Sequence, residues 1–233
     1  MPSPRFFDFH IHTCASDGSH SLERVLHLAA EAGLEGISIT DHDTVDAYAE
    51  ATAPASPASP WLLPGVELST RLDGGEAHIL GYFPRGITPE ISAYVERILV
   101  RRRERMADGI VKLREKGIDI AWDECARLAT GRVLLRSHLA EALAAKRYVG
   151  RAHRAYERLL GPDVVPLPDE EAAGAVREIG RLGGISVWAH PSRASVERHL
   201  GVLRADGLAG VEVIIPRRTP SNGAQAWLLA SQP

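Results

Sequence analysis

The sequence is poor in cysteine: Cys14 and Cys125 are the two among 233 residues, too few and too far apart for a disulfide framework or a zinc finger. Long apolar runs are missing as well. Nothing approaches the ~20 consecutive apolar residues that span a bilayer, and the opening residues hold no apolar stretch of leader length. Nor is there an excess of basic charge. Twenty-seven Lys and Arg against thirty Asp and Glu give a formal charge of −3, which leaves no overall positive field for nucleic acid or an anionic membrane. No GxGxxG follows a strand-like run, no GxxxxGKS/T occurs, and no serine sits in a GxSxG elbow. The Rossmann, P-loop and α/β-hydrolase readings therefore lack their defining residues. These absences predict a cytoplasmic protein in a reducing compartment with no membrane partner. What is present, 45% hydrophobic and 24% charged residues, is enough to bury a sizeable core.

Six apolar runs have strand length, at 6–11, 36–40, 61–68, 77–83, 185–189 and 211–215, and helical patterns separate them. The alternation predicts an α/β fold. Between the first two runs, Leu22, Val25, Leu26 and Ala29 mark one helix face and Gly33 supplies a C-terminal stop, so strand, helix and strand form a βαβ unit. Residues 51–60, ATAPASPASP, offer three prolines and nothing to bury, and read as a loop. From Pro89 to about Leu160 no strand-like run occurs, while Ile91, Val95, Ile98, Leu99, Met106, Ile110 and Leu113 keep helical spacing. The expected organisation is an α/β part at 1–88, a helical insertion at 89–165 and a resumed α/β part at 166–233 that opens with a helix over 168–182. Arg97, Arg101, Arg102, Arg103 and Arg105 are interleaved with Glu96 and Glu104. They read as a solvated helix face with charge pairs, the alternative being a track for RNA phosphates.

Five of the six runs carry or deliver a metal-ligating residue, mostly near their C-terminal ends: His10 and His12, His42, Glu67, His78 and His190. In a β/α barrel that end of the strands forms the site, so residues remote in sequence converge on one mouth. Taken singly, each has a plainer reading. The His10-x-His12 spacing points both rings to one strand face, which suits a shared metal or a solvated pair. His42 sits in a turn rich in capping groups, Glu67 could be an outward strand residue, and His78 and His190 could be core histidines. Their common placement argues for one open, catalytic metal site of nitrogen and oxygen donors, suited to zinc, manganese or iron. Asp8 and Asp41 are candidates to orient ligand imidazoles, and Asp17 is either a ligand or an Asp-Gly turn residue. Cys14, two residues from His12, is a weaker rival as a nucleophile.

In this order, FFDFHIHTCASDGSHS, GISITDHDTVDAY, LLPGVELST, AHILGYF and ISVWAHPSR resemble the PHP phosphoesterase family. The match is most similar to the TrpH-like branch of nucleoside 3',5'-bisphosphate and AMP phosphatases and 5'-3' exoribonucleases. The resemblance implies a distorted (β/α)7 TIM-like barrel with a helical insertion and up to three divalent metals, manganese first, then zinc or iron. It implies hydrolysis of a phosphate monoester of a nucleotide by metal-activated water, or exonuclease action on short RNA. By the same resemblance His10, His12 and Glu67 hold one metal, Asp17 and His42 a second, and Glu67, His78 and His190 a third. Arg136 and Arg193 would bind phosphate, and His138 is a candidate substrate contact. Members of the family continue to a late strand ending in Asp-x-His, whereas this sequence runs to Ala226-Trp227-Leu228-Leu229-Ala230-Ser231-Gln232-Pro233 without that motif. The expectation is a barrel lacking its last strands, through truncation, cover by another chain, or reduction to a metal-binding remnant.

Overall fold

The structure, a computed structural model, describes residues 5–49 and 59–213. Its strands are β1 (Phe7–Ile11), β2 (Gly36–Ile39), β3 (Trp61–Leu72), β4 (Gly75–Tyr82), β5 (Ile185–Ala189) and β6 (Gly210–Val211). They form one sheet in chain order. The helices are α1 (Leu22–Glu31), α2 (Asp46–Ala49), α3 (Pro89–Glu115), α4 (Trp122–Ala126), α5 (Arg136–Ala145), α6 (His153–Arg158), α7 (Ala172–Arg181) and α8 (Arg193–Ala205). Among the described residues no helix is long and apolar enough to cross a membrane. The expected loop at 51–60 lies, except for its last two residues, outside the described residues, as does the end of the 211–215 run.

Helix α1 forms where the spacing predicts it. Ser21 caps its start by accepting the Arg24 N–H, Leu22, Val25 and Ala29 are buried, and Gly33 stops it at φ +71°. The predicted helix over 168–182 begins later, at Ala172. Arg71 N–H donates to Glu170 O at 2.8 Å and Arg71 bridges Glu171, so these residues serve the end of β3 in an extended conformation and cannot also begin a helix.

Where a distorted seven-stranded β/α barrel lacking its last strands was expected, the described residues form a curled six-stranded sheet in which one strand runs against its neighbours. β4 pairs antiparallel with both β3 and β5, while β1–β2, β2–β3 and β5–β6 are parallel. The cause is local: Asp73 and Gly74, at φ +51° and +72°, make a tight turn that sends β4 straight back along β3. Among the described strands none closes the sheet onto β1. The sheet nevertheless curls, because Tyr82 at the end of β4 reaches across its concave face and donates to Phe9 O on β1 at 2.9 Å. Leu63, Leu80, Val187 and Ala189 pack with Phe9 inside that curl.

Helix α3 joins two cores. Its first half packs Ile91, Tyr94, Val95 and Ile98 on β3, β4 and α7, and its second half puts Met106, Ile110 and Leu113 into a helical core reaching Val165. Two of its arginines correct the solvated-face reading. Arg102 and Arg105 are buried, since they continue the inward stripe of Ile91, Val95 and Ile98 by further helical turns. Arg102 Nε donates to Asp43 Oδ2 at 2.6 Å and its terminal nitrogen bonds Ser69 Oγ, while Ser69 N–H donates to Asp43 Oδ1 at 2.7 Å. Arg97, Arg101 and Arg103 remain exposed. Replacing Arg102 by Met strands the buried Asp43 carboxylate and is expected to cost about 3–5 kcal/mol. Asp43→Asn in the same chain should recover part of it in urea melts, and a loss below about 1 kcal/mol for R102M alone would contradict the anchoring role.

Candidate metal centre

The centre is built around Glu67, whose side chain is buried in the middle of β3. The β3–β4 register sets Glu67 opposite Leu80, so His78, two residues earlier on β4, lies on the same sheet face as its diagonal neighbour. His42 arrives because the chain beyond β2 stays paired with β3: Glu67 N–H donates to Asp41 O and Asp43 N–H to Glu67 O. His10 lies on β1, His12 just past it, and His190 immediately after β5.

Five histidines thus converge on one carboxylate. Glu67 Oε2 lies 3.2 Å from His10 Nε2, 3.0 Å from His12 Nε2 and 3.2 Å from His42 Nδ1. Glu67 Oε1 lies 2.9 Å from His78 Nδ1 and 3.0 Å from His190 Nε2. Asp17 flanks them, with Oδ1 2.8 Å from His12 Nδ1 and Oδ2 3.9 Å from His42 Nε2. Hydrogen bonds among these groups do not exhaust the donor set. His42 Nδ1 is buried without a hydrogen-bond partner, and His10 Nε2 faces His12 Nε2 at 3.1 Å. Nitrogen and oxygen donors clustered this closely are what a divalent transition metal takes, so the residues fit the metal that the resemblance implies.

Three sets of donors lie close enough to share a cation: His10, His12 and Glu67; His12, Asp17 and His42; and His42, Glu67 and His78. The first coincides with an expected set. In the second, His12 joins Asp17 and His42. The third has His42 where His190 was expected, although His190 Nε2 stands 3.3 Å from His78 Nδ1.

Charge follows this crowding. Burial opposes ionisation of Glu67, yet the histidines around it hold its pKa well below the ordinary value. Burial likewise disfavours the imidazolium form, but the carboxylates outweigh it and raise His10 to about 9 and His12 and His78 to about 10. His42 moves the other way, to about 3, because burial is reinforced by His12, His78 and Arg102. Asp17 falls to about 2 against its burial, held down by His12 and His42.

Other expected residues take different places. Arg136, first residue of α5, lines a 160 Å³ cleft over the centre together with Asp17, His42, Glu76, His78, Arg102, Ser137 and Tyr156. Its guanidinium lies 3.0 Å from Glu76 Oε2 and 5.5 Å from the Tyr156 ring centre. His138 is buried and accepts the Leu135 N–H at 3.2 Å, capping α5. Arg193 is 92% exposed, donates to Glu197 and does not line the cleft. Asp8 accepts the backbone N–H of His10 rather than a ring. Asp41 accepts Thr13 N–H, Thr13 Oγ and Ser16 Oγ, so it braces the loop that presents Asp17. Cys14 belongs to none of the three donor sets.

Sequence reasoning passed over Glu76, Tyr156 and Glu212, and it read Arg102 only as part of a charged helix face. Glu212 Oε1 stands 2.7 Å from His10 Nδ1. The signal for Glu212 was a charge within the apolar run at 211–215, and for Arg102 its place on an apolar helix stripe.

The metal-free protein carries an expected pH signature. The raised pKa values of His10, His12 and His78 contribute stability that is complete below their ordinary value of 6.5 and is lost as pH rises through about 9 to 10. Metal binding must displace those protons and follows the opposite trend. Calorimetric titrations with Mn2+ at about pH 7, in two buffers of different ionisation enthalpy, should therefore show proton release, with affinity rising from about pH 6 to 9. A pH-independent affinity would contradict this.

The PHP domain family matches residues 8–161. The 5'-3' exoribonuclease Rnm of Escherichia coli is 32% identical over 247 residues, covering 97% of this chain and 80% of the relative. The 3',5'-nucleoside bisphosphate phosphatase of Chromobacterium violaceum is 28% identical over 215 residues, covering 88% and 75%. A solved structure described as an amidohydrolase from Chromobacterium violaceum, with bound sulfate and no metal, superposes with a TM-score of 0.75 at 28% identity, covering 88% of this chain and 75% of that one. The family match covers most of the sequence and the relatives span nearly all of it, and the chain belongs to the PHP domain family of phosphoesterases.

Proposed function

We propose that the chain hydrolyses a phosphate monoester of a nucleotide, such as a nucleoside 3',5'-bisphosphate or AMP, at the Glu67 centre. The observation that carries this reading is the cleft directly above the centre, which brings cationic and aromatic side chains beside the metal-binding donors. Divalent metal held by His10, His12, Asp17, His42, Glu67, His78 and His190, with manganese preferred over zinc or iron, would polarise a phosphoryl oxygen and acidify water.

The chain's own residues supply the rest. Arg136 offers a planar donor fork to phosphate oxygens, and Glu76, 3.0 Å away, holds the guanidinium in place. Arg102, held by its ion pair with Asp43, adds a second guanidinium to the same wall. At 160 Å³ the cleft is well below the roughly 300–1,000 Å³ of drug-sized pockets. It suits a phosphate and part of its sugar, leaving the base outside, where the partly exposed Tyr156 ring gives it a surface to stack on.

A second reading, 5'-3' exonuclease action on short RNA, is favoured by a separate groove. This groove of 500 Å³ is lined by His78 and His190 together with Ser192, Ser195, Arg198 and His199. A groove leading away from the centre gives a chain, not only a mononucleotide, a surface to lie along. The name of the Escherichia coli relative supports the same reading.

Phosphate release from adenosine 3',5'-bisphosphate with Mn2+ is expected to vanish with chelator and in His42→Ala. Arg136→Ala should raise KM by about 10–100-fold, the worth of a charged hydrogen bond of about 1.5–3 kcal/mol. Mononucleotide release from a 5'-phosphorylated short RNA, faster than phosphate release from the bisphosphate, would favour the second reading. Inactivity on both substrates in a metal-loaded sample would contradict both readings.

A further inference from the structure

Glu212 follows β6 directly, and the parallel pairing of that strand with β5, with Val211 beside Trp188, sets it next to His190. Its N–H donates to Trp188 O at 3.0 Å, and its side chain is 7% exposed. The two carboxylate oxygens are used separately. Oε1 accepts from His10 Nδ1 at 2.7 Å, and Oε2 accepts the His190 backbone N–H at 2.5 Å.

Both contacts bear on the geometry of the centre. His10 turns its other nitrogen, Nε2, toward Glu67 and His12. With Nδ1–H donated to Glu212, the neutral ring keeps its lone pair on the nitrogen that faces the cluster. His190 has φ +35°, a backbone conformation that costs a non-glycine residue free energy and persists only where neighbours hold it. The Glu212 carboxylate holds it, and from that turn the His190 ring reaches Glu67.

We propose that Glu212 is a positioning residue of the metal centre, one carboxylate that sets the tautomer and orientation of His10 and the backbone turn of His190. It thereby ties β1 to the β5–β6 side of the curl, so that ligands from both flanks meet at Glu67. The inference rests on the reading of the cluster as a metal centre.

Mn2+ binding to the full chain, followed by the electron paramagnetic resonance of the free ion, separates the two claims. Glu212→Ala should weaken one site by about 10–100-fold, the usual effect of losing a partner of a ligand histidine. It should also shift the visible bands of bound Co2+ while the far-ultraviolet circular dichroism stays unchanged. Glu212→Gln offers one acceptor where two are needed, so it should show a smaller loss in the same direction, and it carries the test if the alanine variant does not fold. Wild-type affinity and an unchanged Co2+ spectrum in a folded variant would overturn the positioning role and leave the metal centre standing. A wild-type chain that binds neither Mn2+ nor Co2+ would overturn both.

Discussion

A single carboxylate buried among five imidazoles is the constraint on which the rest of this structure depends. An isolated ionised glutamate in a protein interior is strongly unfavourable, and Glu67 is tolerated there because five histidine nitrogens lie within 3.2 Å of its carboxylate oxygens. The histidines in turn come from β1, β4, the segment after β2 and the residue after β5. No short stretch of chain could assemble them. The sheet must curl for those donors to meet, and crossings such as Tyr82 to Phe9 and Glu212 to His10 hold the curl.

Around this centre the polar groups divide their tasks. Asp41 braces the loop that carries Asp17, and Asp43 with Arg102 fastens α3 to the sheet. Glu76 lies among His78, Arg105 and Arg136, and its carboxyl falls to about 2 although burial resists ionisation. Through Arg102, helix α3 both fastens the fold and contributes to the lining of the cleft. Structural support and the chemistry of the site share residues, so substitutions at Arg102 act on both.

Much of the fold was legible in the sequence. The strand-like runs at 36–40 and 185–189 and the capped, Gly-terminated helix α1 formed nearly where periodicity put them. The direction of β4 was not read, although Asp73-Gly74 between two apolar runs is a hairpin signal, because apolar period alone says nothing about strand polarity. The seven metal-ligating candidates each carry their chemistry in their residue type; strand ends deliver His10, His12, His42 and His190, strand register places Glu67 and His78, and a loop carries Asp17. Residues that act through a partner left weaker traces. Glu212 looked like a lone charge in a strand, Arg102 like one arginine among several, and Asp8 and Asp41 sit near candidate ligand histidines yet serve the backbone and a loop. Sequence adjacency to a ligand is a poor guide to which nitrogen a carboxylate meets. That depends on strand register and on where the sheet curls.

The central claim is that Glu67 and its histidines hold the metal at which a phosphate ester is cleaved, with Arg136 and Tyr156 lining the approach. Anomalous diffraction from crystals soaked in Mn2+ and a non-hydrolysable nucleotide analogue tests it most directly. The account requires anomalous peaks bounded by Glu67, His10, His12, His42 and His78, with the analogue's phosphate between those peaks and Arg136. Peaks elsewhere on the protein with the Glu67 cluster empty would contradict it.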